Sequence, residues 1–158
     1  MPEDDRSSVS TPRATYNSRV LEIRVAEPDE LPRCRDIRRE VFVDEQGVPL
    51  HAEMDAYDAS STHFLAVLDG EPVGTARLRT LPDGTPKAER VAVLKAWRHH
   101  GIGRALMRAL EDAARGPEIV LNAQVPVIAF YERLGYRAEG PVFDEAGIPH
   151  RAMRKKLS

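Results

Sequence analysis

From Val20 the chain alternates. Leu21, Ile23 and Val25 are apolar, and Glu22 and Arg24 between them are charged. A period of two predicts a strand with one face buried. Pro28 then suits the first turn of a helix. Leu31, Cys34, Ile37 and Val41, joined by Phe42, recur at steps of three and four through Glu45. That spacing predicts an amphipathic helix, and Gly47 and Pro49 stop it. Residues 50–61 are polar and irregular and predict a loop or a short helix. His63–Leu68 reads as the next strand and Asp69-Gly70 as a two-residue hairpin turn. Pro72–Leu81 is the return. Pro82-Asp83-Gly84 turns the chain again into a Val-rich strand, Lys87–Leu94.

The second half uses the same two periods. Ile102, Ala105, Leu106, Ala109, Leu110 and Ala113 form the cleanest helical stripe in the chain, and Gly116-Pro117 ends it. Ile119–Ala123 predicts a short buried strand. Pro126 opens a helix through Leu134, which Gly135 caps. Tyr136–Phe143 and Pro149–Leu157 predict a hairpin that turns between residues 144 and 147. The resulting order, β-α-β-β-β-α-β-α-β-β, is of the α/β, mixed α+β class. It predicts a central mixed, mostly antiparallel sheet of six to seven strands with helices on both faces.

A chain of 158 residues suits one domain. Residues 1–19 hold six Ser/Thr, two Pro and only four apolar residues. Such a stretch buries too little to offset its ordering entropy, so it reads as a flexible tail before a single domain over 20–158. The net charge of −2 argues against a nucleic-acid partner. A single cysteine, Cys34, excludes an intrachain disulfide and a multi-cysteine zinc site. Its place on the first apolar stripe reads as a small buried hydrophobe. No apolar run reaches the ~18 residues of a membrane span, and the start lacks the apolar core of a secretory signal. The expected setting is cytoplasmic, with no membrane partner, and a homodimer is the commonest assembly for such a chain.

The segment joining the Val-rich strand to the stripe helix, through Arg98, His99, His100, Gly101, Ile102, Gly103 and Arg104, carries the first candidate chemistry. Glycines at a helix start let backbone N–H groups approach a ligand. The unpaired amides of the first turn and the helix dipole both favour an anion. A phosphate or pyrophosphate is the natural guest. No Gly-Lys-Ser/Thr follows, so this is not a nucleotide-triphosphate loop. Leu106 stands where a dinucleotide fingerprint would place its third glycine.

Arg98-His-His-Gly101-Ile-Gly103 resembles the Arg/Gln-x-x-Gly-x-Gly/Ala signature of the GNAT superfamily of acyl-CoA-dependent N-acyltransferases. Glu89-Arg-Val-Ala-Val93 resembles that family's fourth strand. Asn122, followed by Ala129-Phe-Tyr-Glu-Arg-Leu-Gly-Tyr136, resembles its last motif. Phe42-Val-Asp-Glu-Gln-Gly-Val-Pro49, Glu53-x-Asp55 and His63 resemble the small bacterial YjcF-like branch. The loop departs from the frequent Arg-Gly-Lys/Gln-Gly by its middle pair, His99-His100, but backbone amides carry the phosphate contact in that motif.

The resemblance implies acetyl transfer from acetyl-CoA to an amine of a small molecule or a protein, with no metal or redox cofactor. It places the pyrophosphate on the amides of residues 99–104. The pantetheine arm would run along Val91, Ala92 and Val93, with Asn122 and Phe130 beside it. The alternative is a non-catalytic acyl-CoA-binding or sensor domain.

Two protons must move in such a reaction. The substrate ammonium must lose one, and the departing thiolate must gain one. The resemblance sets Tyr131 near the CoA sulfur, where a neutral phenol is a suitable acid. Glu89 is the candidate base, with Glu53, Asp55 and His150 as further candidates. Glu53 and Asp55, together with Asp58 and Asp44, point to a cationic acceptor. His51, Glu53, Asp55, His63 and His150 invite a metal, but they lack the His-Glu-x-x-His spacing, so none is expected.

Overall fold

The computed structural model describes residues 13–16 and 19–158. Its strands are β1 (Arg13–Tyr16), β2 (Arg19–Val25), β3 (Thr62–Leu68), β4 (Glu71–Thr80), β5 (Pro86–Val93), β6 (Glu118–Gln124), β7 (Arg137–Glu145) and β8 (Ile148–Lys156). They form one sheet in the order β1-β2-β3-β4-β5-β6-β8-β7. All neighbours are antiparallel except β5 and β6. The sequence predicts seven of these strands. The eighth, β1, comes from the stretch expected to be a tail, where Arg13–Tyr16 pair with Arg19–Glu22. The rest of that stretch before residue 19 lies outside the described residues.

Helices α1 (Leu31–Arg38) and α3 (Ile102–Ala113) cover opposite faces of the sheet. Alternation along β3 sorts its side chains between them. Phe64, Ala66 and Leu68 join Ile102, Leu106, Met107 and Leu110 of α3 in the larger core. Leu65 and Val67 join Cys34 and Ile37 of α1 in the smaller one. Cys34 is fully buried there, and desolvation raises its thiol pKa. The stripe that predicts α3 ends at Ala113, as the helix does. A 3-10 turn (Val125–Val127) leads into α4 (Ile128–Arg133), shorter than the predicted Pro126–Leu134. Leu50–Glu53 forms the short helix α2.

The first helix does run to Glu45, but Arg39–Glu45 winds as a π-helix. The Gln46 amide donates to the Val41 carbonyl, five residues back, at 3.2 Å. Such wide turns collect at functional sites. Here the turn brings Glu45 to Arg98 and Gln46 to Gln124, whose side-chain amides bond at 2.9 Å.

A bulge reshapes β5. Between the pairs Thr75↔Ala92 and Arg77↔Glu89, β4 advances two residues and β5 three. The extra residue is Arg90, held at φ 54°. The bulge resets the alternation, so Ala88, Val91 and Val93 all meet the α3 core while Ala92 joins the α1 core. Bulges of this kind re-aim side chains beside active sites.

Candidate active site

The parallel strands β5 and β6 pair only at Lys87↔Val120 and Ala88↔Leu121. Beyond Ala88 they have no further ladder partners in each other. Backbone groups of Val91 and Val93 on one side and of Asn122–Gln124 on the other thus border an open seam. Unpaired sheet backbone is a ready template for an extended ligand carrying amides.

At the head of the seam stands the glycine loop. His99 and Gly101 are both left-handed, with φ 67° and 80°. Gly101 caps α3 with no side-chain hydrogen bond. The first-turn amides of Ile102, Gly103 and Arg104 therefore have no intrahelical partner and point at whatever lies before the helix. A Cβ on Gly103 would come within 3.4 Å of Phe130 Cζ and 3.9 Å of Val93 Cγ2. The fold thus brings Val93, Gly103 and Phe130 to one place from three separate elements. Arg98 serves this loop as a tether. Its Nε donates to the Val93 carbonyl at 2.8 Å, and its guanidinium pairs with Glu45. His99 and Arg104 are exposed.

Tyr131, on α4, is packed edge-on against Phe130 and Tyr136, with ring centroids at 4.9 and 5.9 Å. Burial alone pushes its phenol well above the ordinary value, so it stays protonated. Its hydroxyl makes no hydrogen bond to any described residue. Tyr136 contrasts with it, since its hydroxyl donates to Glu111 at 2.6 Å.

The opposite, α1-facing side is built from charge. Glu89 accepts from Arg77 at 2.6 Å and from Arg79 at 2.9 Å, and Lys87 lies 3.1 Å away. Despite its burial these cations hold its carboxyl at about 2. Asp55 is likewise held at about 2 by Arg77, the Tyr57 amide and Arg90. Glu53 binds buried Arg38 at 2.6 Å and Arg90 at 3.2 Å. Asp58 joins Arg35, Arg38 and Arg77, and stays far below the usual carboxylate range. Every carboxylate offered by residues 53–58 to a cationic acceptor is already occupied by an arginine. Glu89, ion-paired through both oxygens, is a poor proton acceptor for the same reason.

Sequence reasoning missed these partners. The signal lay in the hairpin register, because the turn at Pro82-Asp83-Gly84 sets Arg77 opposite Glu89 and Arg79 opposite Lys87.

His150 is buried on β8, opposite Gln124. Its Nδ1 lies 2.7 Å from the Ile148 carbonyl. A carbonyl only accepts, so Nδ1 is the donor and Nε2 is the nitrogen left for other partners. That nitrogen lies 3.9 Å from Glu145, which also accepts from Asn122 at 3.1 Å. The structure therefore links Asn122, Glu145 and His150 beside the seam. His63 stands apart from them on β3. Among the described residues no three His, Cys, Asp or Glu side chains gather as metal ligands, and no helix is long and apolar enough to cross a membrane.

An open parallel seam headed by a glycine-capped helix offers backbone donors to an extended, anionic ligand, and comparison with known proteins identifies the family. Residues 26–157 match the acetyltransferase (GNAT) domain family. YjcF of Bacillus subtilis, an uncharacterized N-acetyltransferase, is 45% identical over 124 residues, covering 75% of this chain and 87% of that protein. A solved N-acetyltransferase structure from Lactobacillus plantarum superposes with a TM-score of 0.80 at 31% identity, covering 87% of this chain and all but 1% of that one. The N-acetylglutamate synthase of Neisseria gonorrhoeae, solved with coenzyme A and N-acetyl-glutamate, shares the fold at a TM-score of 0.67 and 19% identity, covering 87% of this chain and 35% of its own. The chain belongs to the GNAT acetyltransferase family, and it is an acyltransferase.

Proposed function

We propose that the protein transfers the acetyl group of acetyl-CoA to a primary amine by direct attack on the thioester. The observation that carries this reading is the two-residue parallel pairing of β5 and β6, with the uncapped amides of α3 at the head of the seam. The pyrophosphate rests on the amides of residues 99–104, and the pantetheine amides complete the unpaired edge of Val91–Val93. Phe130 and Asn122 border the arm. A backbone N–H of β5 donates to the thioester oxygen as charge develops there.

Tyr131 supplies the proton to the leaving thiolate, since burial keeps it neutral and its hydroxyl has no competing partner among the described residues. Deprotonation of the ammonium falls to His150 through Nε2. Glu89, Glu53 and Asp55 are instead held as ion-paired carboxylates. Glu89 then acts as a positioning residue that fixes the arginines around the bulge.

Thermal unfolding with acetyl-CoA, CoA and ATP at equal concentration tests the donor. A ligand at ~100 times its Kd adds about 2.7 kcal/mol. Acetyl-CoA and CoA should both stabilise the protein and ATP should not. Equal shifts, or none, would remove acetyl-CoA from this reading.

A further inference from the structure

The charge network on the α1-facing side does not balance. Leaving aside the half-exposed Arg35, five cations (Arg38, Arg77, Arg79, Lys87 and Arg90) meet the four carboxylates of Glu53, Asp55, Asp58 and Glu89. The imbalance is not spread evenly. Arg38 and Arg77 are 1% exposed and saturated by carboxylates, whereas Arg79, Lys87 and Arg90 are 16, 18 and 19% exposed. The surplus cations thus form the rim. The two arginines among them have donors to spare, since Nη1 of Arg79 and Nη1 of Arg90 donate to no described residue. Their aim is fixed as well. The Arg79 guanidinium lies 4.0 Å over the Tyr57 ring, and Arg90, itself the left-handed residue of the bulge, is tied to Glu53 and Asp55.

Position gives the rim its meaning. Lys87 flanks Ala88, the last residue that β5 pairs with β6, so the cations stand where the seam opens. Half-buried guanidiniums with free N–H groups call for an anion, and planar carboxylate or phosphate oxygens suit them best. A second ammonium there would meet net positive charge in a partly desolvated place.

We infer that the acceptor amine carries a second, anionic group, a carboxylate or a phosphate, which Arg79, Lys87 and Arg90 hold beside the seam. This rests on the acetyl-transfer reading above and names its substrate class. It also reverses the sign of the acceptor expected from the acidic residues alone.

The test is a set of matched primary amines assayed by thiol release from acetyl-CoA: 4-aminobutanoate, 2-aminoethyl phosphate, butylamine and 1,4-diaminobutane. One of the two anionic amines should exceed butylamine in kcat/KM by about tenfold or more, the scale of one charge-assisted hydrogen bond, and the better one identifies carboxylate or phosphate. Diaminobutane should be the poorest. In Arg79→Gln and in Arg90→Gln the ratio of anionic amine to butylamine should collapse toward one, through KM rather than kcat. Equal turnover of all four amines, or a preference for butylamine or diaminobutane, overturns the inference and leaves amine acetylation standing. Absence of thiol release with every amine also overturns it, and if acetyl-CoA then fails to raise Tm the acetyl-transfer reading falls separately. The wild-type preference is decisive even where a variant folds poorly.

Discussion

The two sides of the site are made of different material. The α3 side is backbone: unpaired amides at Ile102–Arg104 and an unladdered edge on β5. The α1 side is side chain, a net of arginines and carboxylates joined across 10 to 37 residues of sequence. Backbone sites are specified by where side chains are missing, so a glycine pattern announces them. Side-chain networks are specified by pairing, and a carboxylate reads the same in sequence whether it is vacant or bound. In the proposed reaction the first kind of site serves a shared cofactor, and the second selects the acceptor.

The sharpest break of this contrast is at Tyr131. Tyr131→Phe keeps the ring packing and removes the proton donor, so turnover should fall by ~10²–10⁴-fold with CoA affinity retained, measured by steady-state kinetics beside calorimetric titration. An unchanged kcat would take the acid role from Tyr131.

Next is the α1 side. Arg77→Met leaves Asp55, Asp58 and Glu89 short of a buried partner and should cost about 3–5 kcal/mol in denaturant unfolding. A loss under 1 kcal/mol would show that these carboxylates are solvated and that the network is looser than its geometry.

On the backbone side, Gly103→Val drives branched carbons toward Phe130, which already lies at ordinary contact distance from a Cβ. CoA affinity should fall tenfold or more, about 1.4 kcal/mol, while the melting temperature of the free protein changes little. Retained affinity would move the cofactor away from this turn.

Acid sharpens the contrast further. Asp55 and Glu89 have folded values of about 2, below their ordinary 3.8 and 4.5. The unfolded chain therefore binds protons first, and the stability these groups contribute is full above pH 4.5 and lost as pH falls toward 2. Unfolding free energy measured across that window should drop steeply, and less so in Arg77→Met.

The smallest effect belongs to His63, whose Nε2 donates to the Asp58 carbonyl at 2.9 Å while buried Nδ1 has no partner among the described residues. Burial lowers its pKa, so the unfolded state gains a proton below about 6.5 and the fold does not. Stability should slip as pH falls below 6.5, and His63→Gln should flatten that slope.

Period alone determined most of the architecture. Leu21 and Ile23 mark the buried face of β2, Val25 at its end being exposed, and the stripe from Ile102 to Ala113 bounds α3 to the residue. Local period reports which face is buried, and burial is what forms these elements. The glycine loop and the Phe130-Tyr131 pair were legible for a related reason, because each is a short contiguous segment whose chemistry does not depend on distant partners. What the tertiary structure alone decided was register and pairing. The bulge at Arg90, the π-helix that carries Glu45 to Arg98, and the arginines that occupy Glu53, Asp55 and Glu89 all depend on residues far apart in the chain. A strand slipped by one residue, or a helical turn wider by one, changes which charges meet while leaving the hydrophobic pattern intact. That is why the sequence could locate the acidic residues beside the site, and only the fold could show that their charge was already spent.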